Sequence, residues 1–155
     1  MRICFVCMGN ICRSPTAEGV MAKLLRDAGL AERVTIDSAG TGGWHAGDLP
    51  DTRTRKAAKK RGLDLGHRAR QFTRYDLDKF DLIIAMDADN LRHLTLLAGT
   101  REAPMIRMLR SFDPEAPDGA EVPDPYSGGD AGFEHVLDLC EAACRGLLGH
   151  VRERL

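Results

Sequence analysis

A chain of 155 residues with 43% hydrophobic side chains can bury one good core and is too short for two ordinary domains. Its 22 Lys and Arg offset 23 Asp and Glu, a formal net charge of -1, so no global field draws it to nucleic acid or to anionic membranes. Five cysteines make an odd number for a disulfide scaffold and point to free thiols in a reducing cytoplasm; the apolar start ICFVCM is too short for a secretory h-region or a membrane span.

RICFVC, from Arg2, reads as a strand apolar on both faces, as in the interior of a parallel sheet. A helix is expected next. Ser14 is a natural N-cap, Pro15 suits the first turn, and Ala17, Val20, Met21, Leu24 and Ala28 form an apolar stripe that ends at Gly29. RVTIDSAGTGG reads as a second strand running into a glycine-rich loop, and DTRTRKAAKKRG as a basic helix with a solvated face, closed by Gly62. FDLIIAMD is a further buried strand and APMIRML a fourth. Prolines, glycines and aspartates crowd between Ser111 and Asp130, which predicts one long loop. Val136, Leu139, Ala143, Leu147 and Leu148 mark a terminal amphipathic helix from Ala131 to about His150. This alternation predicts a single α/β domain over residues 1–155: a four-stranded parallel sheet flanked by helices on both faces, with ligands at the carboxyl ends of its strands. Cys7 sits at one such end.

The stretch FVCMGNICRSPTAEG, from Phe5, carries the chemistry. Between Cys7 and Ser14 a short loop of Met8, Gly9, Asn10, Ile11, Cys12 and Arg13 can turn its backbone N–H groups inward, backed by the positive end of the following helix. That is an anion cradle directly after the first strand. Arg13 can give a phosphate-sized dianion two parallel charge-assisted hydrogen bonds. The same field favours a thiolate, which predicts a depressed pKa for Cys7, and the Ser14 hydroxyl could donate to the sulfur. Asn10 suits a left-handed position in the loop, whether as a cradle former or a plain turn. Met8 and Ile11 face either an entrance or the core. A Walker-type loop needs two glycines and a lysine, where this one has a single glycine and no lysine, and a redox C-x-x-C is absent. If Cys7 and Cys12 were only small buried hydrophobes, Arg13 at a strand–helix turn would have no purpose.

Read together as CMGNICRSPTAEG, Cys7, five intervening residues, Arg13 and Ser14 resemble the signature of the low-molecular-weight protein tyrosine phosphatases. The resemblance continues through DSAGTGGWHAGD, HRARQF, DLIIAMDADN and VPDPY, nearly the whole chain. It implies that Cys7 attacks phosphorus to form a phosphocysteine while Arg13 and the loop amides bind the equatorial oxygens, with no metal and no other cofactor. A tyrosyl group leaving as phenolate benefits from a general acid, and the resemblance puts that acid at Asp124 in the motif Asp124, Pro125, Tyr126. Composition alone would read Asp124 as a turn residue, like the Asp113-Pro114 pair nearby. Trp44, the only tryptophan, and Tyr126 are implied as facing walls for the substrate's ring. The second tyrosine that often follows in the family is Ser127, which sets this chain apart from regulation by paired tyrosine phosphorylation. Asp87 in MDADN resembles the acid that orients the signature arginine; a helix N-cap is a competing and compatible account. Cys12 is implied as the redox partner of Cys7, closing a reversible disulfide, with a buried spectator thiol as the alternative. His67 reads as structural rather than catalytic. Cys140 and Cys144 are one turn apart at core spacing, and His135 lies off their common face, which speaks against a metal site.

The implied partners are phosphotyrosine-containing proteins, a tyrosine kinase among them, for a cytoplasmic monomer or weakly self-associating chain that binds neither nucleic acid nor membrane. Three rivals remain. A thiol-dependent arsenate reductase shares fold and loop but needs further cysteines in its middle segment, and this chain has none between Cys12 and Cys140. A phosphoarginine phosphatase tends to carry threonine where this chain has Ile11, whose apolar side chain suits an aromatic ring. A phosphoryl carrier would have no need of Arg13 and Asp124 together for hydrolysis.

Overall fold

Burial on both sides explains the unbroken apolar run of the first strand. In the computed structural model, which describes residues 1–100 and 104–155, β1 (Arg2–Cys7), β2 (Thr35–Gly40), β3 (Leu82–Ala85) and β4 (Met105–Met108) form one parallel sheet in the order β2-β1-β3-β4. The predicted fourth strand begins in sequence at Ala103, which lies outside the described residues. Central β1 pairs Cys7 with Gly40 of β2 and Ile3 with Leu82 of β3.

Helices α1 (Arg13–Asp27), α2 (Thr52–Lys60), α3 (Ala88–Ala98) and α4 (Asp130–Arg152) cover the two faces. On one, Ile3, Phe5 and Cys7 share a core with Met21 and Leu25 of α1, Ala58 of α2, and Cys140, Ala143 and Leu147 of α4. On the other, Cys4 and Val6 pack with Ile83 of β3 and with Leu94 and Ala98 of α3. Each large side chain buried from water in this way, Phe5 and Ile3 among them, contributes about 1.5–3 kcal/mol. The predicted α/β architecture, with helices on both faces, is the one observed. Among the described residues no helix is long and apolar enough to cross a membrane.

Three expectations need correction. Ser14 is not the N-cap of α1: the cap is Cys12, without a side-chain bond, and Ser14 lies inside the first turn. Its hydroxyl has been recruited by the loop, as described below. The helix α3 has no counterpart in the predicted elements beyond the capping account of Asp87, and it opens on a reciprocal box in which Asp87 and Asn90 bond each other's backbone N–H. The basic helix does not simply face water. Arg61, at the C-cap of α2, clamps α4 through Glu134 at 2.7 Å, Asp138 at 2.9 Å and Glu141 at 3.2 Å, and Arg53 also turns onto the protein.

Candidate active site

Cys7 ends β1, and the chain from Met8 to Cys12 loops back to enter α1 at Arg13. The loop closes tightly against the end of β2. Thr41 N–H donates to Cys7 O at 2.8 Å, Gly42 N–H donates to Met8 O at 3.0 Å, and a Cβ on Gly40 would stand 2.7 Å from Met8 O. Only glycine permits that approach.

Asn10 takes the left-handed conformation expected of it, with φ 58°, and is fully buried. Its Oδ1 accepts from Arg70 N–H at 3.0 Å, which fixes the amide so that Nδ2 faces two hydroxyls, Ser14 Oγ at 2.7 Å and Ser38 Oγ at 3.0 Å. Each hydroxyl, having accepted, sends its own proton onward. That of Ser38 goes to Glu18 Oε1 and that of Ser14 to Cys7 Sγ at 3.0 Å. The Asn10 N–H also points at the sulfur, at 3.3 Å. Two donors thus converge on Cys7 Sγ, an arrangement that stabilises charge on sulfur.

Arg13, only 3% exposed, is held from behind. Its Nη1 donates to Asp87 Oδ2 at 2.5 Å and to Val122 O at 3.1 Å, and Nη2 lies 3.8 Å from Asp124 Oδ2. Burial acts to lower the pKa of this guanidinium, but Cys7, Asp87 and Asp124 outweigh it and hold the value above the ordinary one. Asp87 makes both contacts, with Oδ1 capping α3 and Oδ2 accepting from Arg13. Asp124 likewise forms its turn, Oδ1 accepting from Tyr126 N–H at 3.0 Å, while its other oxygen faces Arg13.

These groups line a cavity of about 290 Å³. Cys7, Arg13, Gly9, Ile11 and Cys12 line its buried part, and Met8, Trp44, Tyr126 and Asp124, all more exposed, line the rest. Ile11 is 8% exposed and Met8 48%, which separates the two open readings: Ile11 belongs to the floor and Met8 to the entrance. Trp44, 73% exposed, lies over Gly42, where a Cβ would come within 1.8 Å of its ring. His45, not singled out from the sequence, completes the wall, with its ring 6.5 Å from that of Tyr126. Its only sequence signal was adjacency to Trp44.

All five cysteines are free and buried. Burial pushes the Cys12 thiol up to about 12, so this neighbour is protonated near neutrality. Cys140 and Cys144 belong to the core, as expected. His67 sits outside the cavity, its Nδ1 3.5 Å from Asp37 Oδ1 and 3.7 Å from Glu18 Oε2. Among the described residues these three are the group whose atoms converge closely enough for a metal ion. Both carboxylates already have protein partners: Arg70 pairs with Asp37 at 2.9 Å, and the Ser38 hydroxyl donates to Glu18.

The family model for low molecular weight phosphotyrosine protein phosphatases matches residues 2–155. The chain belongs to this family. The phosphatase is 51% identical to a low molecular weight protein-tyrosine-phosphatase of Streptomyces coelicolor, over 99% of this chain and 95% of that one. Its fold superposes on a protein tyrosine phosphatase from Entamoeba histolytica with a TM-score of 0.94 at 40% identity, covering 99% and 97% of the two chains. It also resembles an arginine phosphatase of Drosophila, with a TM-score of 0.90 at 33% identity, covering 98% of each chain.

Proposed function

We propose that this phosphatase hydrolyses phosphotyrosine in proteins, and small aryl phosphates, through a phosphocysteine on Cys7. The observation that carries this reading is the cavity itself: a sulfur with two donors at its floor, an anchored arginine and a carboxylate beside it, and aromatic walls above.

In the first step Cys7 Sγ, as thiolate, attacks phosphorus. The S–P bond forms, the P–O bond to the tyrosyl group breaks, and Asp124, entering as the acid, passes its proton to the departing oxygen. Arg13 and the loop N–H groups bind the equatorial oxygens, where charge accumulates in the transition state. Asp87 and Val122 O fix one end of the guanidinium, so little reorganisation is needed when the phosphoryl group arrives. In the second step water attacks phosphorus, gives a proton to Asp124 and expels the Cys7 thiolate, which the Ser14 hydroxyl and Asn10 N–H receive. Phosphate leaves and the starting protonation state returns. No step calls on a metal or a cofactor. Under oxidation Cys12 acts as the resolving thiol for Cys7, and the buried cysteines suit a reducing compartment, the cytoplasm.

Phosphoarginine is the second reading, favoured by the likeness to the Drosophila enzyme. Against it, Ile11 presents an apolar floor and Trp44 an apolar wall, which suit a phenyl ring better than a guanidinium. The deciding measurement is steady-state phosphate release from matched phosphotyrosine and phosphoarginine peptides, in chelator and fresh reductant, with Cys7→Ser protein as the blank. Preference for phosphotyrosine, abolished in the blank, is expected. Preference for phosphoarginine would keep the nucleophile and overturn the reading of Ile11 and Trp44. No turnover on either would leave a phosphoryl carrier in its place.

A further inference from the structure

Arg53 is not part of the catalytic cavity, yet it ties together the two segments that form it. Its Nε and Nη2 grip the Asp51 carboxylate, both at 3.0 Å. Nη2 also donates to Tyr126 O at 3.0 Å and Nη1 to Gly128 O at 3.4 Å. The guanidinium carbon lies 4.6 Å from the ring centre of Phe133 at the start of α4 and 5.5 Å from that of Tyr126, distances at which a cation is attracted to a ring face. Asp51 in turn caps α2, accepting from Arg53 N–H at 2.8 Å, and donates its own N–H to Ile11 O at 2.8 Å, a carbonyl of the phosphate loop. A continuous chain therefore runs from Ile11 through Asp51 and Arg53 to Tyr126 and Gly128.

The other hydrogen bonds of the segment at its far end are local. Beyond Val122, which is bonded to Met86 O and to Arg13, the internal hydrogen bonds between Asp124 and Gly128 are Tyr126 N–H to Asp124 Oδ1 and Gly128 N–H to Pro125 O, both at 3.0 Å, with Pro125 buried and Arg13 at 3.8 Å from Asp124 Oδ2. Among the described residues, Arg53 supplies the hydrogen bonds from this turn across to the phosphate-loop side of the cavity, beside the longer ion pair of Arg13 with Asp124 at 3.8 Å. A turn whose own hydrogen bonds are internal can shift as a body without breaking them.

We propose that Arg53 is a positioning residue that sets the distance and orientation of Asp124 relative to the phosphate held over Cys7. The inference rests on Asp124 being the general acid. Loss of the clasp displaces the acid while leaving the nucleophile and its donors in place, because Cys7, Asn10, Ser14 and Arg13 are fixed by other contacts. Arginine is required rather than any cation. Its planar fork serves a carboxylate and two carbonyls at once while stacking on two rings, and the ammonium of lysine has no such geometry.

The test uses the full chain and two aryl phosphates that differ in leaving group: phenyl phosphate, which needs a proton from the enzyme, and p-nitrophenyl phosphate, which needs little. Arg53→Met keeps an unbranched stem over Phe133 and removes the clasp. It is expected to lower kcat/KM on phenyl phosphate by roughly 10- to 100-fold, the scale of an ångström of misplacement, and on p-nitrophenyl phosphate by only about 3-fold, since proton donation contributes little there. Combined with Asp124→Asn it should cost nothing further on phenyl phosphate, because the two act on one step. Arg53→Lys, which keeps the charge, should recover only part of the loss. Equal loss on both substrates, additivity with Asp124→Asn, or full activity in Arg53→Lys would each overturn the proposal. If Arg53→Met does not fold, judged by circular dichroism, Arg53→Lys decides alone through its ratio of activities on the two substrates. Failure of Asp124→Asn itself to discriminate between them would instead sink the reading of Asp124, a separate outcome.

Discussion

Asp87 holds two jobs on two oxygens, so two substitutions at one position can take them apart. Oδ1 caps α3 through Asn90 N–H at 2.8 Å, and Oδ2 accepts from the buried Arg13 at 2.5 Å. Asn caps a helix as well as Asp does, so Asp87→Asn keeps the cap with its one amide oxygen, but turns its NH2 group, a donor, toward the Arg13 guanidinium and leaves that group short of a partner, a loss of about 1.5–3 kcal/mol. Asp87→Ala removes the cap, about 1 kcal/mol, and also leaves the guanidinium short of a partner, about 1.5–3 kcal/mol more. Val122 O and Asp124 still face Arg13 and keep the second figure from rising higher. In a chain of 155 residues, 1 kcal/mol moves the midpoint of thermal unfolding by about 2–4 °C. The expected falls are therefore about 3–12 °C for Asp87→Asn and about 5–15 °C for Asp87→Ala, the difference being the cap. Activity should not follow that order. Both variants release Arg13 from its fixed orientation, and both should lose kcat/KM on p-nitrophenyl phosphate by roughly tenfold or more. Calorimetry and initial rates on the same preparations give the comparison. Equal unfolding midpoints in the two variants would refute the capping argument, and undiminished kcat/KM in Asp87→Asn would refute the orienting one.

Asn10 combines a left-handed backbone with the amide that orients Ser14 and Ser38. Asn10→Gly relieves the backbone and removes the network, whereas Asn10→Ala removes the network and adds about 1–2 kcal/mol of strain; denaturant unfolding should rank them in that order, with similar losses in turnover. The Cys12 thiol, pushed up to about 12 by burial, is protonated below that value, so its thiolate fraction grows about tenfold per pH unit through the neutral range. Once Cys7 has been oxidised by stoichiometric peroxide, closure to a Cys7–Cys12 linkage, followed by mass spectrometry without reductant, should accelerate accordingly between about pH 7 and 9; a rate independent of pH would remove Cys12 as the attacking sulfur.

The parts of this protein that could be read from sequence are those whose partners lie close in the chain. Cys7, Asn10 and Arg13 belong to one loop, and the conformations of Asn10 and of the strand before it follow from residue type alone. What could not be read depends on partners brought in by the fold. Ser14 has the composition of a cap, and nothing local says that Asn10 and Cys7 will claim its hydroxyl first. Arg70 supports Asn10 from 60 positions away, through a backbone N–H that carries no sequence signal at all. The basic helix makes the same point within a few residues. Arg53 and Arg61 are structural ties to α4 and to the turn before it, whereas Lys56, Lys59 and Lys60 of the same run are exposed. Periodicity separates buried from exposed apolar positions, but it cannot tell a solvated cation from a clasping one, because that depends on which carboxylates and carbonyls another segment presents. In this site the loop around Cys7 is written in a motif, while the turn that carries Asp124 is tied down by side chains such as Arg53, which composition counts only as charge.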